Sequence, residues 1–564
     1  GFEETTTGDV TVGDGGIALY SQGGAVNIGS TGKNITVKVG ASRATAVFTT
    51  GNGQTVTSTN TTYDIGNNSY GFVNTGTGNT INITGGKATL VDNGVFIYSK
   101  TGTITSTAPI TATGTTGSNY AIYAGGTVTN SGNITMIGGT GNVGIYATNN
   151  GTITNSGDIK LGASTQTKRS IGAIANIGTI NNNGDITVNG AYGLGIYATG
   201  AGTYTAVNNG TIKLASSSNV NTPNIGMYTD KDTITLENNG TIEGGDKTVG
   251  IYGHNVNLGA SSLTKVGSGG TGVYSKGGNV TVNGGTLSVG ENGAEGSNDA
   301  VGVYYVGAGG TVTNNAANIN IGNSAYGFVV QNENGAAVTL KTSTPNVTLR
   351  NDAVYAYSNN RAGSVTNTSV LNSTGNGNYG IYSAGTVTNN GNINFGTGIG
   401  NVGVYSILGG TATNNARITV GASDAAAEKF GIGMAAGYKS SDSGNIINSS
   451  SGIINVTGKN SIGMYATGSS STATNKGTIN LSGENSVGMY LDNGATGINE
   501  GTITTVGSPK GAKGVVLSNN SKLINRAGAK ININSAEGFG IYRVNSEETN
   551  ITIANYGDIT VSGG

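Results

Sequence analysis

The sequence predicts an all-β fold, a right-handed parallel β-helix built as a three-sided solenoid of roughly 21 coils of about 26 residues each. Three observations carry that prediction. A phrase of the form Val-Gly-Ile-Tyr, then Thr-Ile-Thr-Asn, then Gly-Asp-Ile-Thr-Val returns along nearly the whole chain. Inside each copy apolar residues alternate with polar or small ones, the period of a strand rather than a helix. Clusters of Gly and Asn interrupt the copies at regular places, where turns are needed.

The first strand of each copy is the Val-Gly-Ile-Tyr segment. It appears as Val143-Gly144-Ile145-Tyr146, Leu194-Gly195-Ile196-Tyr197, Val249-Gly250-Ile251-Tyr252, Tyr379-Gly380-Ile381-Tyr382, Ile462-Gly463-Met464-Tyr465, Val487-Gly488-Met489-Tyr490 and Phe539-Gly540-Ile541-Tyr542. Strict alternation places Val249 and Ile251 inward, with Gly250 and Tyr252 outward. Tyr123, Tyr146, Tyr197, Tyr228, Tyr252 and Tyr274 then stack as an outer ladder. Such a ladder either stabilises the sheet by cross-strand stacking or offers aromatic faces to a ligand.

The second and third strands, as in Thr152-Ile153-Thr154-Asn155 and Asp158-Ile159, turn Ile153, Ile159, Ile180 and Ile186 inward as aliphatic columns. Each coil buries a few such side chains at about 1.5–3 kcal/mol apiece, which offsets ordering entropy only when neighbours stack. Between the two strands sit Asn181-Asn182-Asn183-Gly184, Asn208-Asn209-Gly210, Asn238-Asn239-Gly240 and Asn389-Asn390-Gly391. Asn tolerates left-handed backbone, and its amide can bond the amide of the next coil, so stacked Asn ladders are expected there.

Parallel pairing and the preferred hand of crossovers favour the right-handed coil. At the usual strand spacing the whole array would reach on the order of 100 Å. One continuous solenoid over residues 1–564 is expected. Because the chain opens and closes inside the repeat, it reads as an excerpt of a longer protein.

Composition narrows the function. Glycine is abundant at 102 residues, proline scarce at 4, and charged residues make up 10%, against about 25% in an ordinary soluble domain. The 27 basic and 28 acidic residues are spread thinly, which leaves no basic stripe for nucleic acid. With no cysteine there is neither a disulfide framework nor a thiolate metal site. The start carries no signal-peptide pattern, and no window is long and apolar enough for a spanning helix.

Catalysis by a β-helix enzyme, of the kind that cleaves polysaccharides, needs clustered carboxylates with basic partners or calcium. Here Asp158, Asp185 and Asp558 recur at one place in the repeat, and Asn133 and Asn392 substitute there, as expected of turn formers. The single histidine, His254, reads as an exposed corner residue. No catalytic residue, metal site or cofactor is therefore expected.

Binding is the better expectation. The candidates are the outward Tyr146, Tyr197, Tyr228, Tyr252 and Tyr274, together with charged residues on longer corners. Those corners are Gly162–Ser170 with Lys168 and Arg169, Ala215–Asn224, Glu291–Asp299 with Glu291 and Glu295, Ala422–Lys429 with Asp424 and Glu428, and Tyr438–Gly444. Insertions on a rigid scaffold are where recognition usually sits.

The phrases Asn475-Lys476-Gly477-Thr478-Ile479-Asn480-Leu481, Ser486-Val487-Gly488-Met489-Tyr490 and Asn499-Glu500-Gly501-Thr502-Ile503 resemble the passenger repeats of very large type V autotransporter adhesins, most closely the fusobacterial ones. The resemblance implies a cell-surface, extracellular β-helical passenger. Membrane attachment would come only from a C-terminal outer-membrane barrel absent from this chain. It also implies attachment to bacteria or host cells through surface glycans or protein receptors, without catalysis. The alternative is a rigid spacer that presents a distal binding region. The resemblance brings no binding motif, so it transfers no site residue.

Overall fold

A computed structural model describes residues 3–296, 298–439, 441–544 and 550–563. The chain forms two compact units, residues 1–274 and 275–564. Both are right-handed parallel β-helices, and among the described residues there is no α-helix.

In the first unit a coil runs through Tyr120–Ala124, Thr127–Asn130 and Ile134–Met136. In the next coil the first two strands merge into one, Val143–Asn155, before the third, Ile159–Leu161. Equivalent strands pair in parallel, so identical positions stack: Ile134, Ile159, Ile186, Ile212 and Ile242 form one column. Val128, Ile153 and Ile180 begin another. All eight are fully buried. Burial alternates strictly along these second and third strands, so their apolar residues face in as the sequence predicts.

The first strand departs from alternation. Val249 is half-buried and packs against outer tyrosines, whereas Gly250 is buried beside Ile251. A Cβ built on Gly250 would lie 2.5 Å from the Gly272 carbonyl oxygen and 3.4 Å from the methyl of the buried Thr264. The expectation that Val249 faces inward and Gly250 outward is thus corrected. A bend at the glycine turns two successive residues toward the core and throws the residue before them outward. The neighbouring coil shares the bend, so Ile225 still pairs with Val249 and Met227 with Ile251. Glycine fits because the chain passes close to the next coil there.

At two coils the same position holds an aromatic residue, Phe96 or Tyr355, and the ring fills the interior. In the first unit Phe96, Phe72 and Tyr63 form a triangle with centroids 5.2–5.6 Å apart, and the Tyr63 and Ser58 hydroxyls share a hydrogen bond of 2.7 Å. In the second unit Tyr355 packs on Phe328 and its hydroxyl meets Ser369 at 2.9 Å. The core is therefore aliphatic with local aromatic plugs, each hydroxyl satisfied as burial requires.

The asparagine corners form ladders, and the ladders lie inside. Each of Asn130, Asn155, Asn182 and Asn208 donates an amide hydrogen to the side-chain oxygen of the next coil's Asn, at 2.8–2.9 Å, ending on Asn238. The second unit repeats this from Asn367 through Asn389, Asn414, Asn448, Asn475 and Asn499 to Asn525. All of these asparagines are fully buried. The Asp/Asn positions of the following corner act as turn formers: Asn133 accepts from the Asp158 amide at 3.0 Å, and Asp185 from the Thr211 amide at 3.2 Å. His254 sits in a bend after its strand, half-buried rather than exposed.

Burial of tyrosine makes the fold sensitive to alkali. Burial pushes Tyr63 and Tyr355 above the ordinary value of 10.0. Tyr382 on the outer face is pushed up to about 12 by burial and by neighbouring phenols. The neutral phenol is thus favoured in the folded state. That contribution is fully present below pH 10 and declines as pH rises toward the folded-state value, because unfolded tyrosines ionise first. An alkaline titration is expected to leave a class of phenols un-ionised above pH 10 until circular dichroism is lost. A single class, with the fold retained to pH 12, would contradict this.

Candidate binding surface

The bend in the first strand gives its sheet an apolar outer face made of two rows. In the first unit one row runs Tyr98, Tyr123, Tyr146, Ile174, Tyr197, Tyr228, Tyr252. Its rings lie 4.6–5.4 Å apart where they meet, and Tyr252 stacks on Tyr274 at 4.9 Å, nearly parallel. The second row is Val143, Ile171, Leu194, Ile225 and Val249. Although they point away from the core, the first four are only 3–9% exposed, because the tyrosines lie over them. Each tyrosine thus covers aliphatic surface with its ring and keeps its hydroxyl wet, the amphipathic use to which tyrosine is suited. Burial raises the Tyr228 and Tyr252 phenols, and Asp230 raises Tyr228 further, which favours the neutral form of both.

The second unit carries the same two rows. One reads Tyr304, Val329, Tyr357, Tyr382, Tyr405, Ala435, Tyr465, Tyr490. The other begins Val301, Tyr326, Val354, Tyr379, Val402. Tyr382 stacks on Tyr405 at 4.8 Å.

At three places where a small aliphatic residue replaces a tyrosine, a cleft opens, whereas Ile174 and Val516 at the same position lie buried among their neighbours. Val73, in register between Phe48 and Tyr98, floors a cleft of about 330 Å³ with Arg43 at its side. Val329, between Tyr304 and Tyr357, floors the one of about 550 Å³ that extends along Tyr382 and Tyr405 to Tyr438. Ala435, between Tyr405 and Tyr465, lies in a third of about 260 Å³, walled by Phe430 and by the corner holding Glu428 and Lys429.

The expected site residues fall into groups. Tyr146, Tyr197, Tyr228, Tyr252 and Tyr274 lie on one face, each partly exposed. The corner of residues 162–170 stands beside that face. Lys168 is exposed, while the half-buried Arg169 donates to the Tyr192 carbonyl at 3.5 Å and is near enough to Tyr228 to favour its ionised form. Glu428 reaches the third cleft. Asp424 holds that corner's shape, its carboxylate accepting from the Ala426 and Ala427 amides at 3.0 and 3.2 Å. Glu291 accepts from Arg350 through its backbone carbonyl at 2.8 Å, and Glu295 is exposed. Ser297 and Ser440, within two of the expected corners, lie outside the described residues. In Tyr438–Gly444, Tyr438 is exposed with the Lys439 ammonium 5.2 Å from its ring centroid.

The clefts are what the sequence reading missed. The available signal was negative and incomplete: down the tyrosine column, Val73, Val329 and Ala435 are small where neighbours are aromatic, but so is Val516, which lies buried between Tyr490 and Tyr542. As for chemistry, Asp352 and Glu428 both line the third cleft, but Asp352 is paired with Lys429 at 3.4 Å. Among the described residues no group of three or more His, Cys, Asp or Glu side chains is placed to hold a metal ion.

A family model described as BigA third pectate lyase-like domain matches residues 2–243, 232–397 and 396–502 in succession. No curated protein and no solved structure matches the chain.

Proposed function

Because the chain belongs to the family of the BigA third pectate lyase-like domain, which fits the passenger of a large autotransporter-like adhesin, we propose that it is an extracellular adhesin segment working by non-covalent recognition. In this reading it belongs to a type V adhesin of the fusobacterial kind, exposed at the cell surface, and attaches to bacteria or host cells through surface glycan or protein. The observation that carries it is the neutral aromatic face interrupted by clefts. Aromatic side chains on a rigid backbone contribute contact area at low ordering cost. The corners bearing Lys168 and Arg169, and Glu428, flank this face and would add polar contacts. Catalysis is not part of the proposal. The ion pair that occupies Asp352 and the exposure of most other acids favour binding over acid–base chemistry.

The spacer reading has one observation in its favour: the tyrosines cover the aliphatic row beneath them, which stabilises the sheet without any ligand. Attachment separates the two. Fluorescent beads carrying residues 1–564 are expected to adhere to bacterial or epithelial cells. Threonine, a strand former, at Tyr357, Tyr382 and Tyr405 together is expected to lower adhesion at least tenfold with unchanged circular dichroism. Beads that adhere to nothing would leave the spacer.

A further inference from the structure

We propose that the trough floored by Val329 is a glycan-binding subsite that accepts an uncharged pyranose between Tyr304 and Tyr357 and continues over Tyr382 and Tyr405. This deepens the attachment function and rests on it. The first argument is spacing. Adjacent coils hold their rings too close for anything to enter, as the 4.8 Å between Tyr382 and Tyr405 illustrates. With Val329 in between, Tyr304 and Tyr357 are two strand spacings apart, roughly 9.5 Å. That leaves room for one flat ring with van der Waals contact on both faces, and the valine gives it an apolar floor.

The second argument is the polar rim. The Tyr304 hydroxyl donates to the Gln331 side-chain oxygen, which fixes the amide's orientation. The amide nitrogen of Gln331 then makes no hydrogen bond among the described residues, and Gln331 lines the cleft. Gln331 is exposed, so its amide stands at the wet rim of an apolar slot, which suits a ligand with hydrophobic C–H faces and hydroxyl edges, as a sugar has.

The third argument is charge. None of the side chains lining the cleft is charged. The nearby Glu333 is bound to Arg361 through two guanidinium nitrogens at 2.8 and 3.1 Å. Around Val329 no lining side chain offers a cation to a sialylated, sulfated or phosphorylated group or a carboxylate to a basic peptide; Lys439, 5.2 Å from the Tyr438 ring, and Asp442, near Tyr382 and Tyr405, stand toward the other end of the trough. A single aromatic side chain of a protein partner would fill the slot but not the trough, which runs four strand spacings from Tyr304 to Tyr405, roughly 19 Å. An oligosaccharide uses that length.

The test is a glycan array probed with residues 1–564, run beside the cell-adhesion assay. The array carries neutral galactose-, glucose- and N-acetylhexosamine-terminated oligosaccharides with their sialylated and sulfated counterparts. The wild-type chain is expected to retain at least one neutral class. Val329→Tyr, which restores the residue that neighbouring coils already carry, should cut that binding at least tenfold without changing the melt. Gln331→Ala should cut it severalfold, and Val73→Tyr, in the first unit, should leave it unchanged. Binding confined to charged glycans, or equal binding by Val329→Tyr, would overturn the inference. So would cell adhesion lost in Val329→Tyr with no glycan retained by wild type; the partner would then be a protein, with the adhesin function still standing. Wild-type beads that adhere to no cell would instead defeat the adhesin function itself.

Discussion

Replacing Ile251 with aspartate is expected to open several coils of the first unit at once. Ile251 is fully buried and stacks on Met227, also fully buried, in the column that follows the bend. A carboxylate there has no partner and would be driven to its neutral form. Burying even a neutral polar group without a hydrogen bond costs about 2–7 kcal/mol. The lost isoleucine packing adds to this, since large-to-small changes in cores cost about 2–5 kcal/mol. No coil buries enough to stand alone, so a break at one coil withdraws support from its neighbours. The contrasting substitution is Thr187→Asp. Thr187 points outward from the third strand and lies in register between Lys160 and Lys213, so a carboxylate there gains two cationic neighbours. Thermal melts and protease-resistant fragment masses should separate the two. The Ile251 variant should be cut between coils of residues 1–274, and the Thr187 variant should match wild type. An Ile251→Asp chain with an unchanged melt would mean that the first strand does not face inward as described.

That contrast also marks where the fold could be read from residues and where it could not. Second and third strands alternate without interruption, so Ile153, Ile159, Ile180 and Ile186 were legible as core from period alone. The first strand was not, because a bend turns two successive residues inward and an outward valine beside tyrosines looks like an inward one. Phe96 and Tyr355 at the glycine position were the available clue, since a large ring there needs an interior to fill. The tyrosine ladder was legible as a column, but its clefts depend on which tyrosines are missing, a signal that emerges only once the register is known. The approach of Arg169 to Tyr228 was beyond reach for the same reason: it crosses coils, and sequence distance says nothing of it. The asparagine corners were legible as ladders from their recurrence, yet their complete burial was not, because Asn is usually a surface residue.

Burial is what makes the second large effect, that of Asn208→Leu. Asn208 accepts from the Asn182 amide at 2.9 Å and donates to the Gly210 carbonyl at 2.9 Å and to Asn238 at 2.8 Å. Leucine has nearly its shape and none of its polar atoms, so these three groups lose a partner, and so does the Thr241 carbonyl, which accepts from the same amide at 3.4 Å. Each buried group left unsatisfied costs about 1–3 kcal/mol, and the ladder on either side loses its through-bond polarisation. Serine at 208 should cost less than leucine because it keeps one polar atom, but more than an exposed change: in this same column Ser106 lies in register with Asn130, and the buried Ser106 hydroxyl and Asn130 side-chain oxygen find no partner. Asn209→Ala should cost little: its own amide contact, to Asn183 at 3.0 Å, is exposed and water replaces it. The expected order of melting temperatures is therefore Asn209→Ala above Asn208→Ser above Asn208→Leu. If the leucine variant melted with wild type, apolar packing would serve equally well at this corner. The asparagines would then owe their place to register instead: an aliphatic corner pairs with any neighbour, whereas an amide that must both donate and accept fixes which residue of each coil meets which.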